Sequence, residues 1–195
     1  MSDFRSNKPH NCQDLVVLFD RTFARDYRTC LKAGAEEPFY QPAGAQDPMH
    51  QIWFTRDYFA SALHEVAHWC VAGRRRRQLP DYGYWYAPDG RSPEQQAMFE
   101  QVEARPQALE WLFSRAAGFT FRPSADNLTA NAGPSEAFKG AIHEQVMAFC
   151  NTGISPRVAA FLRALLDFYG TGEHGAGERL DALLKPGAFP RSQLL

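Results

Sequence analysis

The run His64-Glu65-Val66-Ala67-His68 sets two imidazoles four residues apart, with a glutamate beside the first. On a helix, positions i and i+4 share a face, with Cβ atoms roughly 5–6 Å apart. Two imidazoles at that spacing can hold one divalent metal at about 2.0–2.1 Å. In H-E-x-x-H hydrolases the glutamate is the general base on metal-bound water, and Glu65 occupies that place. The surroundings are Ala60, Ala62, Leu63, Val66, Ala67, Trp69 and Val71. Ionisable groups in so apolar a setting are costly unless bonded to something, which favours a metal site over a chance match on a charged helix.

A third ligand must come from elsewhere, and Glu94, Glu100, Glu103 and Glu110 follow downstream. Glu100 and Glu103 share a face of a helix made amphipathic by Met98, Phe99 and Val102. Glu103 is the preferred carboxylate and Glu100 the second choice. Two histidines and one carboxylate leave positions open for water, oxygen or substrate. His143, on another amphipathic helix, is the residue that could close the site as a fourth ligand; otherwise it is a satisfied or surface histidine.

Arg74, Arg75, Arg76 and Arg77 follow the metal helix directly. They would stabilise its negative C-terminal end. They could be a solvated face, or dock an acidic macromolecule near the site mouth. Tyr82, Tyr84, Trp85 and Tyr86 have strand composition, with one face for the core and one for a cavity wall. Asp89 and Arg91 either pair at the cavity rim or hold the Pro88-Asp89-Gly90 turn.

The elements that position these residues are read from periodicity. Leu15, Leu18, Phe19, Phe23, Tyr27 and Leu31 form one stripe, predicting a helix from Asn11 to Lys32 that Gly34 ends. Residues 35–50, with three prolines, read as an ordered loop or edge segment, and residues 51–54 as a strand. The metal helix runs from an Asp57 cap to Ala72, with Gly73 closing it. A further helix opens at Ser92-Pro93-Glu94 and reaches Arg105, where Pro106 forces a break, a kink or a fresh start before residues 107–117. Helices follow over residues 134–151, from Ser155-Pro156 to Phe168, and over residues 177–184, with loop at 119–133 and a loose tail after Gly170. This predicts a single α+β domain over residues 1–195, mostly helical with a small sheet. The metal site lies on a central helix, and residues 1–10 and about 172–195 are loosely ordered or peripheral.

Of the 195 residues, 45% are hydrophobic and 22% charged, and the net charge is −1. No global field draws such a chain to nucleic acid or membrane. No apolar run is long enough to span a bilayer, and the first residues lack a signal peptide's apolar stretch, so the expected location is the cytoplasm. The four cysteines form no C-x-x-C pair and read as free thiols rather than a zinc ribbon.

Taken together, several blocks resemble the bacterial elongation factor P hydroxylase family. They are His64-Glu65-Val66-Ala67-His68-Trp69-Cys70, Tyr82-Gly83-Tyr84-Trp85-Tyr86, Pro88-Asp89-Gly90-Arg91, Phe99-Glu100 with Val102-Glu103, and Pro106-Gln107-Ala108-Leu109 with Trp111. The likeness runs from about Leu15 to Tyr169. It implies a hydroxylase of a lysine on elongation factor P that already carries a β-lysyl group. It implies a fold similar to metal-dependent endoribonucleases, with a zincin-like helix on a small sheet. It also implies a non-haem iron(II) centre using molecular oxygen, with His64 and His68 as ligands, Glu103 as the carboxylate and Glu65 beside them in a supporting role. Substrate contacts are then expected from Tyr84, Trp85, Tyr86, Asp89 and Arg91. The local motif by itself also fits a zinc-dependent peptidase or nuclease, and a closed four-ligand site would be structural.

Overall fold

The computed structural model describes residues 6, 8–45, 47–83, 90–125, 133–170 and 175–194. Helix α1, Cys12–Tyr27, starts where the Asn11 side chain accepts the Gln13 N–H at 2.9 Å. Its apolar stripe buries Leu15, Phe19 and Phe23. The expected continuation to Lys32 does not occur. Arg28 turns left-handed at φ 48°, and Thr29–Ala35 becomes strand β1. Leu31 fits a strand's period of two as well as a helix's 3.6, and pairing with a second strand decides between them. Gly34, at φ 100°, lies where the register of that pairing shifts, instead of ending a helix.

Strand β2, Phe39–Gln41, lies within the segment read as loop or edge. Strand β3, His50–Thr55, is central: it pairs parallel with β1 and antiparallel with β2. Helix α2, Phe59–Val71, packs on β3. Tyr58, not Asp57, precedes it without a side-chain cap, and the helix stops at Ala72 rather than Gly73. Residues 80–83 form a tight turn with Asp81 and Tyr82 both left-handed, so Tyr82 is not in the strand expected there. Tyr84, Trp85, Tyr86 and Asp89 lie outside the described residues.

Helix α3, Pro93–Ala117, is one element of 25 residues, opened by a Ser92–Gln95 capping box with proline in its first turn. Pro106 sits inside it without ending it. A proline there removes one helical hydrogen bond and costs about 3 kcal/mol in isolation. The buried stretch Glu103–Ser114 packs against α2 and the later helices, and that packing outweighs the cost. Helices α4, Glu136–Thr152, and α5, Pro156–Tyr169, each begin at a serine whose hydroxyl accepts a backbone N–H. Helix α6, Ala176–Leu183, and two short 3₁₀ turns follow. Leu180, Leu183, Phe189 and Leu194 are buried there, so this peripheral stretch is packed rather than loose. His10, near the other end, bonds the Ala117 carbonyl at 2.9 Å.

The result is a mostly helical single domain on a small three-stranded sheet, and Trp69 of α2 packs among Phe19 and Phe23 of α1. Among the described residues no helix is long and apolar enough to cross a membrane.

Candidate metal centre

Two helices build the site. Helix α2 brings His64 and His68 to one face, with their Nε2 atoms 3.0 Å apart. Helix α3 crosses them with Glu103, whose oxygens lie 3.5 Å from His64 Nε2 and 3.3 Å from His68 Nε2. Among the described residues these three form the one group of donors placed to hold a metal ion.

Glu110, two turns further along α3, faces the other side of the same imidazole. Its carboxylate lies 2.9 Å from His64 Nδ1. That contact makes Nδ1 the proton-bearing nitrogen and turns Nε2 toward the cluster. In a neutral His64 the Nε2 lone pair then faces the Nε2 of His68, and one Glu103 oxygen is buried with no hydrogen-bond partner. Facing imidazole nitrogens and a buried carboxylate oxygen without a hydrogen-bond partner suit a cation, either a proton or a metal. Without a metal the proton takes that place. Burial works against a charged His64, but the Glu110 hydrogen bond and the charges of Glu110, Glu103 and Glu65 prevail and raise its pKa to about 10. Burial likewise works against a charged Glu103, only 2% exposed, yet His68 and His64 bring its pKa down to about 2. A divalent cation bound there would displace that proton, because histidine ligates as the neutral ring and glutamate as the carboxylate.

Glu65 is buried on the same helix but lies outside the donor group; burial raises its pKa. Glu100, the second choice for third ligand, accepts the Ser135 hydroxyl at 2.8 Å and so ties α3 to the start of α4. Glu94 accepts the Ser92 hydroxyl at the start of α3. His143 lies 3.2 Å from the Phe189 carbonyl and is not a fourth ligand. Glu110 stood in the downstream run of glutamates, but its role was not read there. Its signal was the seven-residue step from Glu103 and its place as a lone acid within Ala108–Phe113.

A cleft of about 410 Å³ opens beside His68, bounded by Tyr82, Val102 and Pro106 and by Arg74, Arg75 and Arg76. The arginine run divides. Arg77 turns back to donate to the Ala72 carbonyl at 2.6 Å, and Arg76 donates to the Tyr82 carbonyl at 3.0 Å. Arg74 and Arg75 are exposed. Arg91 lies over the Phe99 ring, 3.9 Å from its centre.

A family model described as elongation factor P hydroxylase matches residues 18–178. The elongation factor P lysine hydroxylase of Haemophilus influenzae is 48% identical over 162 residues, covering 83% of this chain and 91% of that protein.

Proposed function

This chain belongs to the elongation factor P hydroxylase family, and from that premise we propose that it hydroxylates a modified lysine of elongation factor P at a metal held by His64, His68 and Glu103. The observation that carries the metal assignment is the facing pair of imidazole nitrogens beside an orphaned, buried carboxylate oxygen. Two histidines and one carboxylate leave part of the coordination sphere open and suit iron(II). Iron(II), when bound, supplies the one-electron chemistry that activates molecular oxygen.

The chain's own residues do the rest. Glu110 fixes the His64 ring and its tautomer. Glu65 adds negative charge beside the pair. Pro106, Val102 and Tyr82 wall the approach to His68, which limits water around the reacting side chain. We assign the cleft to the long modified lysine, and Arg74 and Arg75 at its lip to acidic surface on elongation factor P. Tyr84, Trp85, Tyr86 and Asp89, which continue the chain from Tyr82, together with Arg91, complete the proposed substrate contacts. The helix carrying the histidines lies on a small sheet, which supports the zincin-like and endoribonuclease-like reading of the fold. We assign the enzyme to the cytoplasm, because its proposed substrate is a translation factor.

The test is mass spectrometry of elongation factor P bearing the modified lysine, after incubation with this protein, iron(II), a reductant and air. The expected product carries one added oxygen atom. It is absent with the His64→Ala, His68→Ala or Glu103→Ala variants, each folded but unable to retain metal. No added oxygen under any metal would overturn the proposal and return weight to a zinc hydrolase, to be tried on peptides and RNA.

A further inference from the structure

The turn Pro80–Gly83 carries unusual backbone. Asp81 at φ 48°, Tyr82 at φ 58° and Gly83 at φ 71° are three consecutive left-handed residues. For each of the two non-glycines that conformation costs about 1–2 kcal/mol. The surroundings enforce it. Asp81 accepts the Tyr40 N–H at 2.7 Å, Arg76 donates to the Tyr82 carbonyl, and the Tyr82 ring stacks on Tyr40 with centroids 4.3 Å apart.

All of this holds one phenol in place, yet its hydroxyl has no use in the free protein. Tyr82 is 5% exposed, and its Oη is buried with no hydrogen-bond partner among the described residues. An unpaired buried hydroxyl costs about 1–3 kcal/mol. Tyr82 is one of the residues that line the cleft beside His68. Backbone strain and an unsatisfied polar atom at one residue, on the wall of the cleft leading to the metal donors, are what a preorganised ligand contact looks like before its ligand arrives.

The geometry points to Tyr82 as a specificity-determining residue, whose hydroxyl donates a hydrogen bond to a polar group of the modified lysine side chain. The assignment rests on the reading that this chain hydroxylates elongation factor P. Burial, and then the nearby Glu65, hold the phenol pKa well above its usual value, so the group keeps its proton and acts as a donor. The phenol selects a side chain that carries an acceptor within its reach.

Tyr82→Phe removes the oxygen and keeps the ring, the stack and the turn. Three properties should be measured on this variant and on the wild type. They are the melting temperature, the metal content, and the affinity for modified and unmodified elongation factor P with oxygen excluded. The expected result is a melting temperature unchanged or raised, because an unpaired hydroxyl has been deleted, and unchanged metal content. Affinity for the modified factor should fall about tenfold, the loss of one good hydrogen bond, with affinity for the unmodified factor unaltered. Equal affinity of variant and wild type for the modified factor would overturn the assignment. So would a drop of several degrees in melting temperature with both forms of the factor bound less well, since the hydroxyl would then be structural. If wild-type protein neither favours the modified factor nor adds oxygen to it in air, the functional reading itself falls and takes this inference with it.

Discussion

Glu110 hydrogen-bonds His64, a proposed metal ligand, and stands outside the donor group itself. A carboxylate in that position raises the basicity of the ring and locks its orientation, and such partners matter for affinity by about 10- to 100-fold. Glu110→Gln keeps size and can still accept through its amide oxygen, but loses the charge. We expect iron or zinc affinity, measured by titration against a chelator, to fall by about that factor while the circular dichroism spectrum stays unchanged. Affinity equal to wild type would mean that Glu110 only fills space. The residue scale is also where the sequence was most legible. The i, i+4 pair identifies itself, whereas the amphipathic helix leaves Glu103 and Glu100 both open, and only the fold brings Glu103 beside the histidines. Glu110 was harder to read, because a glutamate that orients a ligand has the same side chain as one that binds the metal, and only the position of its oxygen separates them.

Helix α2 ends against Arg157 of α5. The guanidinium donates to the carbonyls of Trp69, Cys70 and Ala72 at 2.8, 3.1 and 2.9 Å and lies 4.7 Å from the centre of the Trp69 ring. These carbonyls lie at the negative end of the helix that carries His64 and His68, where helical partners run out, and Arg77 shares the one at Ala72. Arg157→Ala should destabilise the fold by about 2 kcal/mol or more, a loss of about 4–8 °C in melting temperature for a chain this size. Arg157→Lys should recover part of it. Differential scanning calorimetry reads both, and an unchanged midpoint in the alanine variant would remove the cap from the account. The sequence could not show this, because the capping residue lies far along the chain from the carbonyls it caps. The same blindness to distant partners explains β1: the stripe through Leu31 is helical by spacing, and only its pairing with β3 makes it a strand. At Pro106 local propensity argued for a break, and burial on three sides carried the helix through.

The molecule as a whole carries almost no net charge, so any electrostatic attraction must be local. Arg74 and Arg75 form that local field at the lip of the cleft, while Arg76 and Arg77 have backbone carbonyls to hold. The double substitution Arg74→Gln with Arg75→Gln should weaken binding of elongation factor P about threefold to tenfold at low salt, since exposed ion pairs contribute about 0.2–1 kcal/mol each. It should also flatten the salt dependence of binding while leaving metal content alone. Surface plasmon resonance across a range of ionic strength is the check; identical salt slopes would take the docking role away from this pair. In sequence the four arginines are one run; that Arg76 and Arg77 also hold backbone carbonyls depends on the turn that follows α2.

The proposed metal donors come from two helices that are otherwise joined by packing and by the His64–Glu110 hydrogen bond. His64 and His68 belong to α2, Glu103 to α3, and residues 84–89 lie in the chain between them. Occupancy of the site would therefore act as a clasp between two parts of the fold, adding stability in proportion to how tightly the ion is held. Starved of metal, the protein would lose more than its chemistry: the α2–α3 seam would open more often, and the empty enzyme would be the form that proteases remove first. In such a protein the supply of metal sets how long each copy survives as well as how fast it works.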